Sequence, residues 1–374
     1  MCIRDRGGGL WSNPSTWHSS KIPESNDIVI IAMRDTVTFD ITGKEEPSCS
    51  GLMIDPEGVL TFKKMPGILT LTVKGNIRSY GTIRLEATSL EAGIQQLRII
   101  PPAEITMLEN SSLLVYGRQS SGKAAMNVRI TASAETRITA NDQCMIDIQN
   151  AVITDVVFNI YNLDNTGNTP NERINFIDCH LLGTSRIFMQ GCDTPVIKNN
   201  SFECFSPAFD QPAVFLNYCS LAQVFNNTFR GYHSAIRAEN DKDSIVSGNI
   251  AENCTFGIYW NSGKQAMLKH NKFVNCTNGV FINATEGLLE DIIVDTAQKP
   301  FSLNSLYMQM TDCSAQNTKT NHLLELNNAS VTLLNCNIAD DQILCKGKPP
   351  AGFFAENMQY VVAKVSGKIP ALSL

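Results

Sequence analysis

The chain has 374 residues, of which 43% are hydrophobic and 18% charged, so it can bury a large core and is not extensively disordered. Its 30 basic and 36 acidic residues give a net charge of −6 without a lysine- or arginine-rich run, which argues against a nucleic-acid partner or an anionic membrane surface. No stretch approaches the roughly 20 apolar residues of a transmembrane helix, so no membrane span is predicted.

The cysteines and histidines do not have the spacing of a metal site. The 12 cysteines include no C-x-x-C pair, and the five histidines are scattered along the chain. A zinc-type site needs several such ligands at short spacing. The sequence therefore predicts no metal centre and no cofactor.

The chain begins with MCIRDR, which lacks the apolar segment of a secretory signal. We interpret residues 1–9 as a leader that is not native to the protein, so that no signal peptide is visible.

The next segment, residues 10–40, contains two tryptophans and then a short run of strand-forming residues. Its pattern is W-S-N-P-x-T-W followed by P-x-x-N-D-x-V-x-I, made by Trp11, Ser12, Asn13, Pro14, Thr16, Trp17, Pro23, Asn26, Asp27, Val29 and Ile31. The pattern resembles the opening of a G8 domain, where glycine usually precedes the aspartate. Asparagine at that position keeps access to positive φ. The resemblance implies a G8-like β domain over residues 10–124.

Residues 28–115 contain short runs such as DIVIIA, VLTF and LTLTVKG, separated by turn residues. Such runs predict strands. A solenoid exposes unpaired strand edges at its ends, and we expect the G8-like domain to cap one of them. We interpret Trp11 and Trp17 as core packing within this cap rather than as ligand contacts.

The middle of the chain is repetitive. Segments NIAENCTFGIYW (249–260) and NKFVNCTNGVFI (271–282) match at five positions with an offset of 22 residues, and weaker copies extend from 174–180 to 332–341. Units of roughly 20 to 28 residues that contain only strand-forming runs and turns predict a parallel β-helix, in which each unit is one turn.

Alternation along FGIYWNS places Tyr259 and Asn261 outside and Ile258 and Trp260 inside. The first outward column is predicted to contain Phe188, Phe215, Arg237, Tyr259, Phe281, Ser302 and Glu325. The second is predicted to contain Gln190, Asn217, Glu239, Asn261, Asn283, Asn304 and Asn327. An inward column is predicted to contain Cys179, Phe205, Tyr232, Cys254 and Cys276.

Asparagine dominates the second outward column and a separate series of Asn200, Asn227, Asn249 and Asn271. Stacked amides hydrogen-bond between turns, and asparagine tolerates the left-handed conformation that turns require. We therefore predict that Asn217, Asn261, Asn283, Asn304 and Asn327 line up along one edge.

The repeat N-x-F-x-x-N/C-x-x-G-I, over residues 125–345, resembles the β-helix repeats of pectate-lyase-like enzymes, phage tail spikes and surface adhesins. With the G8-like opening, the arrangement is similar to that of cell-surface hyaluronidase and fibrocystin-like proteins. The predicted fold class is all-β: a right-handed parallel β-helix solenoid with an N-terminal G8-like β cap domain.

Two charged residues, Arg237 and Glu239, interrupt the two outward columns on one strand. The predicted substrate-binding residues are Phe215, Arg237, Glu239, Tyr259 and Asn261, and the candidates for catalysis are Arg237, Glu239, Asp241 and His233. The alternatives are a surface ion pair without a role and an aromatic column that only stabilises the sheet.

Two functions stay open at this point. The resemblance implies an extracellular or cell-surface protein that binds glycans or mediates adhesion, as a fragment of a larger protein. The alternative is a polysaccharide-cleaving enzyme, so whether the chain is an enzyme is not decided. A glycosidase needs two carboxyl groups about 5 to 10 Å apart, and only Asp241 or Asp243 can partner Glu239. A lyase needs a base and a cation, for which Lys242 and Lys264 are further candidates.

Two local predictions concern the end of the repeats. Cys254 and Cys276 lie on adjacent turns, where a disulfide is permitted, but their apolar column favours buried thiols. After residue 345 the run KGKPPAG contains two prolines, which cannot donate to a strand ladder. Residues 346–374 are therefore predicted to form a C-terminal cap or a truncated segment.

Overall fold

The computed structural model describes residues 1–374 except 44–46, 90, 119–125, 142, 163–173, 207–209, 319, 328, 330, 339–342 and 347–374. The protein is an all-β, right-handed parallel β-solenoid of about 13 turns, which confirms the predicted fold class. Among the described residues the only helical element is a 3₁₀ turn over Pro14–Thr16. The chain divides into two compact units, Met1–Glu203 (unit 1) and Cys204–Leu374 (unit 2).

The described strands of unit 1 are β1 (Cys2–Arg4), β2 (Gly9–Leu10), β3 (Ile28–Ile31), β4 (Thr36–Phe39), β5 (Ser48–Cys49), β6 (Gly51–Ile54), β7 (Val59–Phe62), β8 (Ile68–Val73), β9 (Ile77–Ser79), β10 (Thr82–Glu86), β11 (Ile94–Ile99), β12 (Ile105–Met107), β13 (Ser112–Tyr116), β14 (Val128–Ala140), β15 (Met145–Gln149), β16 (Ala151–Tyr161), β17 (Ile174–Ile177), β18 (His180–Leu182), β19 (Arg186–Gln190), β20 (Val196–Lys198) and β21 (Ser201–Glu203).

Strands of unit 1 pair in parallel with the strand one turn away, as a β-helix requires. One series runs through β3, β6, β9, β12 and β14, and a second through β4, β7, β10, β13 and β15. Strand alternation turns one apolar set inward, as with Val29 and Ile31, which are fully buried.

The first residues of the chain belong to this stack, because β1 pairs with β3. Residues 1–9, interpreted from the sequence as a leader, thus include a paired strand. Trp11 and Trp17 are buried, with ring centroids 5.2 Å apart in an edge-to-face arrangement. The Trp17 indole N–H also donates to the Trp11 carbonyl at 3.0 Å. Their predicted packing in the core is confirmed.

The predicted boundary between residues 10–124 and 125–345 falls within 119–125, outside the described residues. Strands on both sides of it belong to unit 1, and β11 before the boundary pairs in parallel with β14 after it. The predicted C-terminal segment, 346–374, lies outside the described residues apart from the last position of the final strand.

The described strands of unit 2 are β22 (Pro212–Asn217), β23 (Gln223–Phe225), β24 (Thr228–Arg230), β25 (Ser234–Glu239), β26 (Ile245–Ser247), β27 (Ile250–Glu252), β28 (Phe256–Asn261), β29 (Gln265–Lys269), β30 (Lys272–Val274), β31 (Asn278–Glu290), β32 (Ile293–Asp295), β33 (Lys299–Thr311), β34 (Ser314–Gln316), β35 (Leu324–Asn327), β36 (Val331–Leu334) and β37 (Ile343–Lys346).

A ladder of buried asparagines closes one corner of unit 2. Asn227 donates its backbone N–H and its amide to Asn249 Oδ1, at 2.9 and 3.0 Å. Asn249 makes the same two bonds to Asn271 Oδ1, both at 3.0 Å. The amides of Asn249 and Asn271 also donate to main-chain carbonyls of the preceding turn, those of Val224 and Val246, both at 2.9 Å. The asparagines repeat over these turns because each of them supplies the same hydrogen bonds at the corner.

The inward cysteine column is confirmed in part. Cys254 and Cys276 are buried free thiols, and Tyr232 is buried as predicted. Phe205 is wrongly placed, since its side chain is 72% exposed and the buried residue beside it is Cys204. A shift of one residue exchanges the two faces of a strand, and the spacing to Tyr232 is longer here than the constant 22-residue period.

Candidate functional site

The predicted outward columns are present in unit 2. Phe215 pairs with Arg237, Arg237 with Tyr259, and Tyr259 with Phe281, on the successive strands β22, β25, β28 and β31. All four side chains are half-buried. We call these four residues, together with the neighbouring asparagine column, the outward face.

Arg237 lies between two aromatic rings of the outward face. Its guanidinium carbon is 4.9 Å from the Phe215 ring centroid and 5.3 Å from that of Tyr259. Its Nε donates to Glu239 Oε1 at 2.9 Å, and its Nη2 donates to the same oxygen. The side chains of Arg237 and Glu239 remain 37% and 22% exposed, so no described loop covers the pair. The rings and the carboxylate fix a planar, charged donor group at the surface.

The aromatic surface continues beyond Arg237. The rings of Tyr259 and Phe281 stack with centroids 4.8 Å apart and an angle of 9°. Phe256 packs edge-on against Tyr259 at 5.3 Å, and the His233 ring lies 5.4 Å from Phe256. His233 Nδ1 is 3.2 Å from Ser234 Oγ. The structure thus places His233 at the edge of the aromatic cluster.

The asparagine column lies beside the aromatic one. Asn283 donates from its amide to Asn261 Oδ1 at 2.7 Å, and Asn304 donates to Asn283 at 3.0 Å. Asn217 belongs to the same column, because it pairs with Glu239 on the next strand and Glu239 pairs with Asn261. Asn327 follows Leu326, the partner of Leu303, and so occupies the position next to Asn304. The predicted alignment of the five asparagines is confirmed.

Asp241 differs from the other candidates because its side chain is buried, at 1% exposure. Within the described residues neither carboxylate oxygen has a partner at full hydrogen-bond geometry, so the Ser244 hydroxyl and the Lys242 backbone N–H interact with it only weakly. Burial raises the pKa of Asp241 to about 6, and the nearby Ser244 hydroxyl and Lys242 backbone N–H offset only part of this effect. The buried indole N–H of Trp260 likewise finds no hydrogen-bond partner in the part of the chain that the structure describes.

A cleft of about 630 Å³ opens where the turns follow β25 and β28. We call it the turn cleft; the lining residues used below are Asp241, Lys242, Gly263, Lys264, Asn283 and Asn304. It adjoins the outward face, because Asn283 and Asn304 belong to both. A Cβ at Gly263 would lie 2.7 Å from Trp260 Nε1 and 2.8 Å from the Asp241 carbonyl oxygen. Glycine therefore lets this turn lie directly against both residues.

The sequence predicts that Phe215, Arg237, Glu239 and Tyr259 are neighbours on one surface, as the structure shows, but it does not predict the turn cleft. Lys242 and Lys264 were considered only as cations for a lyase. Their spacing of 22 residues, equal to the repeat, was the signal that places them on consecutive turns. The cleft itself depends on how the turns bend, which strand alternation does not predict.

Within the described residues, no three or more histidine, cysteine, aspartate or glutamate side chains come together in a way that could hold a metal ion. In the same part of the chain, no helix is long and apolar enough to cross a membrane.

One family model matches the chain: residues 147–295 match the model described as periplasmic copper-binding protein (NosD). The match spans less than half of the chain and does not establish membership. The copper of that description is a property of the family that the model describes. No curated protein matches the chain. The resemblance of residues 10–124 to a G8 domain stays a prediction.

Several solved structures are similar to the chain at low identity. They include the A-module of the mannuronan C-5 epimerase AlgE4 of Azotobacter vinelandii, at 11% identity over 87% of this chain and 90% of that one, with a TM-score of 0.31. The family 28 exopolygalacturonase of Yersinia enterocolitica matches at 11% identity over 95% and 77%, with a TM-score of 0.31. Tailspike protein 3 of bacteriophage CBA120 matches at 9% identity over 92% and 59%, with a TM-score of 0.31. Scores this low carry no argument about function.

Proposed function

We propose that unit 2 binds a glycan along the outward face, and that the protein acts at the cell surface or outside the cell. The observation that carries the proposal is the half-exposed guanidinium of Arg237 held between the rings of Phe215 and Tyr259. A saccharide has apolar C–H faces and a rim of hydroxyl groups. Aromatic rings stack on the faces, and Arg237, Glu239 and Asn261 offer donors and acceptors to the rim.

The stacking of the turns supports a linear ligand. Parallel strands repeat about every 4.8 Å, so equivalent side chains form a continuous row across β22, β25, β28 and β31. A chain of sugar residues laid along this row meets rings and amides repeatedly. A row of half-exposed aromatic side chains on a protein surface is also typical of a binding site.

A second candidate function is cleavage of the bound polysaccharide. It is favoured by Asp241, a residue beside the turn cleft whose buried carboxyl group has its pKa raised to about 6. Such a group is half protonated at pH 6 and mostly ionised at pH 7, so it would act as a general acid in mildly acidic solution. Glu239, ion-paired with Arg237, would be the complementary carboxylate.

A glycan array with the full chain, followed by product analysis of each ligand found, tests the proposal. Tyr259→Ala should lower affinity for the bound glycan about tenfold or more, because a stacked ring contributes about 1 to 3 kcal/mol to sugar or base binding. Tyr307→Ala, at a 67% exposed tyrosine of the same unit outside the outward face, is the matched control. Circular dichroism should be unchanged in both variants.

Glu239→Gln separates the two functions. It should abolish product formation if the glycan is cleaved, and only weaken binding if it is not. Equal glycan binding by the parent, Tyr259→Ala and Glu239→Gln would rule out the outward face as the binding site.

A further inference from the structure

We propose that Cys313 and Cys336 form a redox-sensitive clamp in unit 2: a small disulfide oxidant links the two thiols and thereby joins two consecutive turns. The link encloses β34, β35 and β36, which lie between the two cysteines in the chain. This inference does not depend on glycan binding, because neither cysteine belongs to the outward face or lines the turn cleft.

The two cysteines are direct neighbours on adjacent turns. Just before them Thr311 pairs with Leu334, at the same offset of 23 residues that separates the cysteines. Just after them the Asn337 N–H donates to the Cys313 carbonyl at 2.9 Å. Neighbouring positions of parallel strands have Cα atoms about 4.8 Å apart, and a disulfide needs a Cα separation of about 4.4 to 6.8 Å. The backbone therefore permits a link without moving either turn.

The two side chains have the same orientation. The Cys313 thiol donates to the carbonyl of Thr311, two residues before it, at 3.4 Å. The Cys336 thiol donates in the same way to Leu334, at 3.5 Å. Cys336 Sγ also lies 3.4 Å from the carbonyl oxygen of Met310, which is on the turn of Cys313. The Cys336 sulfur thus lies against the turn to which the disulfide would join it.

The pair combines a buried thiol with a partly exposed one. Cys313 is fully buried, whereas Cys336 is half-buried. A hydrogen bond with the Cys336 sulfur, together with burial, raises the pKa of Cys313, and the same hydrogen bond lowers the pKa of Cys336. The first thiolate therefore forms on the side chain that solvent reaches. A reactive cysteine and its resolving partner have this arrangement.

Oxidation takes two thiol–disulfide exchange steps. The Cys336 thiolate attacks one sulfur of a disulfide such as oxidised glutathione, whose S–S bond breaks as a mixed disulfide forms and one glutathione thiolate leaves. The sulfur of Cys313, after losing its proton to water, attacks the Cys336 sulfur and expels the second glutathione. The two protein thiols lose two electrons and two protons, and the oxidant becomes two glutathione thiols.

A second cysteine pair of unit 2 provides a matched control. Cys254 and Cys276 are also neighbours on adjacent turns, since Glu252 pairs with Val274 at the same offset. Both cysteines are buried, at 3% and 2% exposure, and the cavity of about 100 Å³ that Cys276 lines is too small for oxidised glutathione. The backbone permits a link here too, but a disulfide reagent cannot reach either thiol. We expect Cys254 and Cys276 to stay reduced in the folded chain.

The test of the link incubates the folded full chain with oxidised glutathione at mildly alkaline pH and then alkylates the remaining thiols. Tandem mass spectrometry of the tryptic peptides should find Cys313 linked to Cys336, with fragmentation assigning both residues. Cys254 and Cys276 should react with the alkylating reagent only after the chain is denatured.

Hydrogen exchange followed by mass spectrometry tests the clamp in the linked and the reduced chain. The link should slow exchange in β35 and β36 at least about tenfold, because it limits how far the enclosed turn can open. Exchange in β28, outside the enclosed segment, should not change. Cys336→Ser, at a half-buried position, should show neither the link nor the slower exchange, and circular dichroism checks that this variant folds.

Three results would overturn the clamp. The first is the absence of a link between Cys313 and Cys336, including the case in which only a mixed disulfide with glutathione accumulates on Cys336. The second is a link between Cys254 and Cys276 that forms equally fast, because exposure would then not select the reactive pair. The third is unchanged exchange in β35 and β36 after the link has formed. None of these results bears on glycan binding by the outward face.

Discussion

Asp241 is buried because the backbone turns just before it. Alternation from Arg237 and Glu239 would direct residue 241 outward, but Asn240 adopts a φ of +52° and reverses the alternation. Cys219 occupies the equivalent position one repeat earlier, and its side chain is also buried. A carboxyl group thus occupies an interior position that a thiol fills in the preceding turn.

We expect this burial to make the stability of the protein pH-dependent. The pKa of Asp241 is raised from its ordinary value of 3.8 to about 6. Below about pH 4 the group is protonated in both the folded and the unfolded chain, so folding is not penalised. Between pH 4 and 6 only the unfolded chain loses the proton, and the free energy of unfolding falls by up to about 3 kcal/mol, at about 1.4 kcal/mol per pH unit. Above pH 6 the penalty is complete.

Asp241→Asn removes this penalty while keeping the shape of the side chain. The variant should gain stability over the parent as pH rises from 4 to 7.5, by as much as about 3 kcal/mol less the cost of burying the amide. Guanidinium titrations at pH 4, 6 and 7.5 measure the gain. The charged groups nearby are Asp243 on the same turn and Lys242 and Lys264 at the turn cleft, so Asp243→Asn, at a half-buried residue, serves as the control. A difference between Asp241→Asn and the parent that is the same at all three pH values would contradict the predicted burial effect.

At the scale of the turn, the two asparagine ladders contribute differently to the stability of the fold. The ladder of Asn227, Asn249 and Asn271 is buried, and its side-chain amides hydrogen-bond main-chain groups that water cannot reach. The ladder of Asn261, Asn283 and Asn304 is half-buried, so solvent can replace a lost bond. The same residue type therefore has a structural role at one corner and is free for ligand contact at the other.

Alanine substitutions should separate the two ladders. Asn249→Ala leaves the buried Asn227 N–H without its acceptor and removes the bond to the Val224 carbonyl, and a buried group that loses its partner costs about 1 to 3 kcal/mol. We expect a total loss of about 3 kcal/mol or more. Asn261→Ala should cost about 1 kcal/mol, since only a half-exposed bond is lost. Urea denaturation of both variants gives the comparison; equal losses would mean that burial does not distinguish the two ladders.

The sequence predicts the strands from β22 to β31 well because the period is constant there. An offset of 22 residues from Arg237 to Tyr259, and again to Phe281, lets alternation be transferred from turn to turn without error. Phe205 was misplaced where that spacing changes, because a shift of one residue inverts the face. The buried position of Asp241 was missed for a related reason, since a positive φ at Asn240 is not visible in an alternation pattern.

The turn cleft could not be predicted from strand patterns, because it is formed by residues outside the strands. Besides the spacing of Lys242 and Lys264, Gly263 is a signal in the sequence: it repeats the position of Asp241 and Cys219 with a residue that leaves room beside Trp260. The relation of residues 10–124 to a G8 domain also lies beyond what strand geometry can decide. Parallel stacking in unit 1 is dictated by the same hydrophobic alternation whether or not the segment descends from that family.

For the molecule as a whole, the parallel stack implies that each turn depends mainly on its neighbours. Strand β3 hydrogen-bonds to β1 and β6, and β28 to β25 and β31. Stability is then close to a sum of terms from single turns and from adjacent pairs, as in other repeat proteins. A local defect should weaken nearby turns strongly and distant turns little.

Trp17→Ala tests this expectation in the full chain. Trp17 is fully buried and packs edge-on against Trp11, which contacts Phe39 at 5.5 Å, so its removal should cost about 3 to 5 kcal/mol locally. Hydrogen exchange followed by mass spectrometry should detect faster exchange in β4, whose Phe39 contacts Trp11. Exchange in β28, more than 200 residues further along the chain, should match the parent because no shared turn connects it to the defect. An increase of equal size in β4 and β28 would instead mean that the whole solenoid opens as one cooperative unit, and the additive description would have to be given up.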